Sequence, residues 1–241
     1  MFYTHDFKIT LTMLGKNTYI SNKGLLSILQ DTAEMHSASI GFGITNINET
    51  HKSWALLNWK LHIFERPKYG DTITIKTWSR YSTKLYSYRD FEILNSDGKI
   101  VAIATSKWIL IDVEQNKVAR ITEDLINKYQ PESKSVFGEI ELEDKLALPE
   151  KCTNSIGYNI RKADIDINEH VNNLNYIDIA LEVFPGEANT FNSCSELEIW
   201  YKHQIKFNDI IEANYSLEDG INCVLIKSVD GSVLRSVIRF K

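Results

Sequence analysis

Asp166, Asn168 and His170 occupy every second position of the run Asp164-Ile165-Asp166-Ile167-Asn168-Glu169-His170, and Val171-Asn172-Asn173 follows at once. In an extended chain, side chains two residues apart share a face. That spacing predicts a carboxylate, an amide and an imidazole converging on one spot. An imidazole titrates near neutrality and serves as a general base, a carboxylate orients it, and an amide can hold a water or a carbonyl oxygen. Leu174, Ile177, Leu181 and Phe184 have helical spacing, which predicts a helix near 172–184 capped by the asparagines. A helix N-terminus at this point would offer free N–H groups and favour negative charge. The same residue types cap ordinary helices without doing chemistry, so the triplet needs its surroundings to be read.

Those surroundings look duplicated. Arg66-Pro67-Lys68-Tyr69-Gly70-Asp71 leads into an alternating strand, and Ile205-Lys206-Phe207-Asn208-Asp209 does the same in the second half. Asp97-Gly98 and Asp230-Gly231 each read as a hairpin turn followed by a strand. The first half predicts a strand over Tyr3–Met13, a helix over Gly24–Ser39 and strands over Trp54–Phe64, Asp71–Ser79, Tyr86–Leu94 and Ile100–Val113. The second half predicts strands over Ser155–Ile160, Cys194–Gln204, Ile210–Leu217, Ile221–Val229 and Ser232–Phe240, with its helix after the first. The charged stretch 122–150, with Pro131 and Pro149, predicts a short helix and a linker. One helix per run of long antiparallel strands is an α+β pattern. The first helix is apolar on more than one face (Leu25, Leu26, Ile28, Leu29, Ala33), as a helix wrapped by a sheet must be. The predicted architecture is therefore two tandem hotdog domains, at 1–130 and 151–241, joined by a linker at 131–150.

The 241-residue chain is 43% hydrophobic and 24% charged, with a net charge of −5, which fits a folded protein and weighs against non-specific nucleic-acid binding. No apolar run approaches the ~20 residues that span a bilayer, and the first residues lack a signal-peptide pattern. Cys152, Cys194 and Cys223 have no metal-like spacing. The expectation is a cytoplasmic protein with structural thiols, no metal and no cofactor.

Across nearly its whole length the chain resembles the acyl-acyl-carrier-protein thioesterases of bacteria and plant plastids. The resemblance is carried by Asp166-Ile-Asn168-Glu-His170-Val-Asn-Asn-Leu-Asn-Tyr176, by Tyr88-Arg89-Asp90-Phe91, by Ala104-Thr105-Ser106-Lys107-Trp108 and by Arg66-Pro-Lys-Tyr-Gly-Asp71. It implies a double hotdog that hydrolyses the thioester between a fatty acyl chain and the carrier protein's phosphopantetheine. Asp166, Asn168 and His170 match the family's catalytic Asp, Asn and His. Its usual glutamate in a Tyr-x-x-Glu context is matched by Gln204 of Tyr201-Lys-His-Gln204, which can orient a water but cannot take its proton. Ile205 stands where some plant members carry a cysteine.

Within that reading His170 is the base, Asp166 orients it, and Asn168 holds the water or the acyl carbonyl. The stretch Tyr19–Gly24 of the first half carries no His or Asp and is left for binding. Ile44, Trp54, Leu57 and Trp59 are candidates for the acyl-pocket wall, and Asn173 for a substrate contact. Each apolar member of that set reads first as a plain core residue. Arg66, Lys68, Arg161, Lys162 and Lys202 are candidates for docking an acidic carrier protein. Arg89 and Asp90 are expected to pair structurally. Rival readings keep the fold and take acyl-CoA instead, bind acyl chains without catalysis, or perform a dehydration. Both a monomer and a homodimer are compatible with the duplicated plan.

Overall fold

Long alternating and near-continuous apolar runs dominate this chain, and in the computed structural model they pair into a single sheet. The structure describes residues 1–138, 142 and 146–241. The first half comprises β1 (Tyr3–Lys8), α1 (Asn22–Ser39), α2 (Ile47–Thr50), β2 (Lys52–Ile63), β3 (Thr72–Ser82), β4 (Tyr86–Leu94), β5 (Ile100–Asp112), β6 (Lys117–Ala119) and α3 (Glu123–Tyr129). The second comprises β7 (Asn154–Asn159), α4 (Asn175–Val183), α5 (Ala188–Phe191), β8 (Glu196–Tyr201), β9 (Ile210–Glu218), β10 (Ile221–Ser228) and β11 (Leu234–Phe240). Among the described residues these form an eleven-stranded sheet of order β1-β3-β4-β5-β2-β8-β11-β10-β9-β7, with β6 paired to β5. The order reads the same from either edge once β1 is matched with β7, β3 with β9, β4 with β10, β5 with β11 and β2 with β8. The two halves are thus related by a pseudo-twofold axis, and the seam between them is the antiparallel pair β2–β8.

At that seam Lys60 lies opposite Glu198, flanked by Trp59 opposite Ile199 and Leu61 opposite Leu197. The Lys60 ammonium reaches the Glu198 carboxylate at 3.1 Å. Each half wraps its sheet over its own helix, which is the hotdog arrangement. Ser21 caps α1, its hydroxyl accepting from the Gly24 N–H at 2.9 Å, and Leu25, Leu26, Ile28, Leu29 and Ala33 are buried. Gly24 is required by close approach, since a Cβ there would lie 2.3 Å from the Met13 carbonyl oxygen. The two helices meet through Lys23, whose ammonium bonds Asp178 at 2.5 Å and Asn175 at 2.9 Å. The main core is shared: Trp59, Leu61 and Phe91 of the first half and Ile177, Leu197 and Ile238 of the second belong to one buried cluster.

The segment after α3 crosses the sheet face opposite the helices. Glu132 N–H donates to Ser79 O at 2.9 Å, Trp78 Nε1 donates to Lys134 O at 2.9 Å, and Val136 N–H donates to the Asp90 carboxylate at 3.0 Å. This arrangement corrects the expected Arg89–Asp90 pair. Neighbours on a strand point to opposite faces, so Asp90 meets the crossing segment. Arg89 points inward, to the His36 ring at 2.8 Å and Thr77 Oγ1 at 3.2 Å. No helix among the described residues is long and apolar enough to cross a membrane.

Candidate active site

The triplet Asp166-x-Asn168-x-His170 does not run as a strand. Asp166 N–H donates to His170 O at 2.9 Å and Glu169 N–H donates to Asp166 O at 3.0 Å, closing a tight hairpin. The Asp166 carboxylate accepts from the Asn168 N–H at 2.8 Å, and Glu169 takes the left-handed conformation with φ 62°. The expectation of three side chains on one extended face is therefore corrected. A carboxylate bonded to the backbone two residues on turns the chain instead of extending it. Asp166 and His170 form the two ends of the loop, and Asn168 sits at its exposed tip.

The base of the hairpin is a polar knot. Arg161 N–H donates to the Asp164 carboxylate at 2.8 Å, the Arg161 guanidinium approaches it at 2.6 Å, and the Tyr158 hydroxyl donates at 3.2 Å. The Asp164 carbonyl accepts from the Asn172 N–H at 2.8 Å and the Asn175 amide at 3.2 Å. Val171 N–H donates to Ile205 O at 2.8 Å, which lays the loop alongside the chain leaving β8. Gln204 and Lys206 are thereby brought beside the His170 loop, both exposed. Burial holds the His170 imidazole below its ordinary pKa. The Lys206 ammonium adds to that effect, and Asp166 and Glu169 oppose it. Its Nδ1 is buried and makes no hydrogen bond among the described residues. The helix begins at Asn175, later than expected, because Asn172 is spent on the turn: its side chain accepts from Leu174 N–H at 2.9 Å and its carbonyl from Asn175 N–H at 2.9 Å.

The pseudo-twofold axis supplies a counterpart for every part of this loop. Gly15 N–H donates to Tyr19 O, Ser21 N–H to Met13 O and Ile20 N–H to Pro67 O. These bonds repeat those of Asp166 to His170, Asn172 to Asp164 and Val171 to Ile205. Lys68 N–H and Lys206 N–H likewise each donate at 2.9 Å to a carboxylate three residues on, of Asp71 and Asp209. So Gly15, Asn17 and Tyr19 stand where Asp166, Asn168 and His170 stand, a few residues ahead of most of the stretch 19–24 expected to correspond. Arg66 stands where Gln204 stands. Its guanidinium turns inward, to Ile20 O at 2.9 Å, Asn22 Oδ1 at 2.9 Å and Cys194 O at 2.8 Å. It is a brace across the two halves rather than a surface cation. Arg161 is held by Asp164, while Lys68, Lys162 and Lys202 are exposed.

The residues expected to line an acyl pocket are spread apart. Trp59 is fully buried in the shared core, against Phe91 and Trp108. Trp54 belongs to a second cluster, with Nε1 donating to the Tyr129 hydroxyl at 2.9 Å. Leu57 sits at the bulge in β2, and Ile44 is 47% exposed. A depression of about 600 Å³ beside α3 is lined by residues such as Lys84, Arg120 and Glu123, and a groove of about 270 Å³ runs over Lys60 and Glu198. Neither is lined by those four residues. Asn173 lies just ahead of α4, its carbonyl accepting from the Tyr201 hydroxyl at 3.1 Å. Sequence reasoning missed Asp164, Lys206 and the Tyr176–Tyr201 pair. For Asp164 and the tyrosines the signal was a comparison of the halves, in which Met13, Leu25 and Ile63 stand opposite Asp164, Tyr176 and Tyr201; Lys206 has a lysine, Lys68, as its counterpart and gave no such signal.

The sequence profile of the acyl-ACP thioesterase N-terminal domain matches residues 1–129, and that of the acyl-ACP thioesterase C-terminal domain matches residues 149–238. The chain is 25% identical over 233 residues to oleoyl-acyl carrier protein thioesterase 1, chloroplastic, of Arabidopsis thaliana, covering 88% of this chain and 62% of that protein. It is 27% identical over 222 residues to the chloroplastic palmitoyl-acyl carrier protein thioesterase of Cuphea hookeriana, covering 88% of this chain and 54% of that protein. The chain thus spans just over half of the length of these curated relatives. Among solved structures, an acyl-ACP thioesterase from Bacteroides thetaiotaomicron superposes with a TM-score of 0.85 at 23% identity, over 99% of this chain and 96% of the other. The 12:0-ACP thioesterase from Umbellularia californica gives 0.81 at 19%, over 100% and 96%.

Proposed function

This chain belongs to the acyl-ACP thioesterase family, and from that premise we propose that it hydrolyses the thioester of a fatty acyl-acyl carrier protein to free fatty acid and carrier-protein thiol. The observation that carries the reading is the match to both domains of the family, over residues 1–129 and 149–238, together with a histidine on a braced loop at the entry to α4. His170 removes a proton from water as the water oxygen attacks the thioester carbonyl carbon. The tetrahedral intermediate then expels the pantetheine sulfur, which takes up the proton from the imidazolium. A lowered imidazole pKa favours the neutral form of His170, the form competent as a base. Asp166 stabilises the imidazolium through space, since its carboxylate also supports the turn. The N–H groups of Val171, Asn172, Leu174 and Asn175 are already donated within the fold. The donors assigned to the water and the oxyanion are therefore the Asn168 and Asn173 amides, with Gln204 orienting the water. We assign the acyl chain to the first half, residues 1–130, and the chemistry to residues 151–241, in a cytoplasmic setting.

The test is thiol release from carrier proteins bearing acyl chains of graded length, with matched acyl-CoAs beside them. Fast turnover with an optimum on carrier protein is expected, and His170→Ala should lower it by roughly 10²–10⁴-fold. Turnover confined to acyl-CoA would move the substrate. No turnover on either would replace hydrolysis with non-catalytic acyl binding, the reading that Gln204 favours.

A further inference from the structure

We propose that Tyr176 and Tyr201 are positioning residues that hold the His170 loop from beneath and so leave position 204 free to face the substrate. The inference rests on the thioesterase reading for its kinetic consequence, and on geometry for the bracing itself. The same pre-helix loop exists twice in this molecule and is held in two different ways.

In the first half, position 66 does the holding. The Arg66 guanidinium spans from the end of β2 onto the loop, binding Ile20 O and Asn22 Oδ1. A side chain committed in this way cannot meet a ligand. In the second half the corresponding residue, Gln204, is exposed, and two phenols act from the other side. Tyr201, the last residue of β8, donates its hydroxyl to the Asn173 carbonyl at 3.1 Å. Tyr176, in the first turn of α4, is buried with its ring against that of Tyr201 and its oxygen on the side of the main chain at Ile205, next to Gln204. The two rings meet edge to face, with centroids 5.2 Å apart and planes at 90°. One phenol therefore bonds the residues after His170, and the ring of the other supports it from the first turn of α4.

The pair is specific to this half. The pseudo-twofold counterparts of Tyr176 and Tyr201 are Leu25 and Ile63, both buried and apolar. An apolar side chain thus suffices for packing at each position, and the Tyr201 hydroxyl has another role. Placing a phenol oxygen in such surroundings is unfavourable unless it is hydrogen-bonded, and that of Tyr201 is, to the Asn173 carbonyl. Burial pushes both phenols well above their ordinary pKa, so Tyr201 keeps its donor proton across the working pH range.

Tyr201→Phe removes one oxygen and leaves the ring packing in place, and Tyr176→Leu, which takes the residue of the Leu25 counterpart, removes the ring that abuts Tyr201. In each variant, kcat and KM on acyl-carrier protein, the pH profile of kcat/KM, backbone amide exchange over residues 170–175 and the thermal midpoint are measured. Tyr201→Phe is expected to lower kcat five- to twentyfold with KM within twofold, to leave the acid limb in place, and to speed exchange in that segment alone. Tyr176→Leu is expected to act in the same direction, and it decides the matter if Tyr201→Phe does not fold. A kcat within twofold of the parent with unchanged exchange overturns the proposal. So does a loss of kcat that merely follows a fall in the thermal midpoint. Should the parent turn over no thioester at all, the thioesterase reading fails by itself, and the exchange measurement alone upholds or overturns the bracing.

Discussion

Lys206 bears on His170 through space, and the sign of its effect is open to measurement. A nearby positive charge opposes a second one, so the ammonium disfavours the imidazolium. Burial of the ring acts the same way, and together they outweigh Asp166 and Glu169. A base must be neutral to accept a proton, so the acid limb of kcat/KM is expected below the ordinary imidazole value of about 6.5. Lys206→Gln removes a positive charge from an exposed position without touching the core. The imidazole pKa then rises and the acid limb moves to higher pH. A pH profile of the variant at low salt checks this, since screening at high salt shrinks the difference. An acid limb that stays in place would mean that another group controls it.

The hairpin from Asp164 to Asn172 is an element in its own right, and its hold lies at its base. Asp164 is 1% exposed. Burial alone would raise its pKa, but the Arg161 guanidinium and N–H outweigh burial and hold the carboxyl below the usual carboxylate range. A folded-state pKa below the unfolded one contributes stability at pH above the unfolded value, and that contribution is lost as pH falls through the folded value. Asp164→Asn should therefore cost about 1–3 kcal/mol near neutral pH, the penalty for under-bonded buried groups. It should also flatten the loss of stability on acidification; urea titrations at several pH values measure both. This element also shows where reading the sequence stopped. Strand β4 was legible as Tyr86–Leu94 because Tyr86, Tyr88, Phe91 and Ile93 are strand-forming residues and the turn residues Asn95 and Asp97-Gly98 follow them. The loop was misread because a period of two describes Asp166, Asn168 and His170 equally well whether the chain extends or turns. Only the bond from Asn168 N–H to the Asp166 carboxylate decides it. The expected strand Tyr3–Met13 broke after Lys8 for a related reason, a 3₁₀ turn at Leu11–Met13 that packs under the α1 N-terminus. Tyr176 and Tyr201 escaped notice because buried tyrosines have the same spacing as core residues.

At the scale of the molecule, the core does not divide at the linker. Trp59 and Leu61 on β2 and Leu197 and Ile199 on β8 lie in one buried cluster that joins both halves across the seam. The halves are therefore expected to unfold together. Urea transitions followed by tryptophan fluorescence and by far-ultraviolet circular dichroism should coincide, and two resolved transitions would contradict the shared core. Trp59→Ala, a truncation at a fully buried site, should lower that single transition by about 3–5 kcal/mol. The pair on the pseudo-twofold axis adds something the core cannot. Apolar residues at a symmetric seam would accept either half as neighbour. Lys60 opposite Glu198 does not: joining two first halves in this register would set lysine against lysine, and joining two second halves glutamate against glutamate. Like charges directly opposite one another weaken a strand pair, so a freshly made chain is steered toward its own other half and away from exchanging strands with its neighbours.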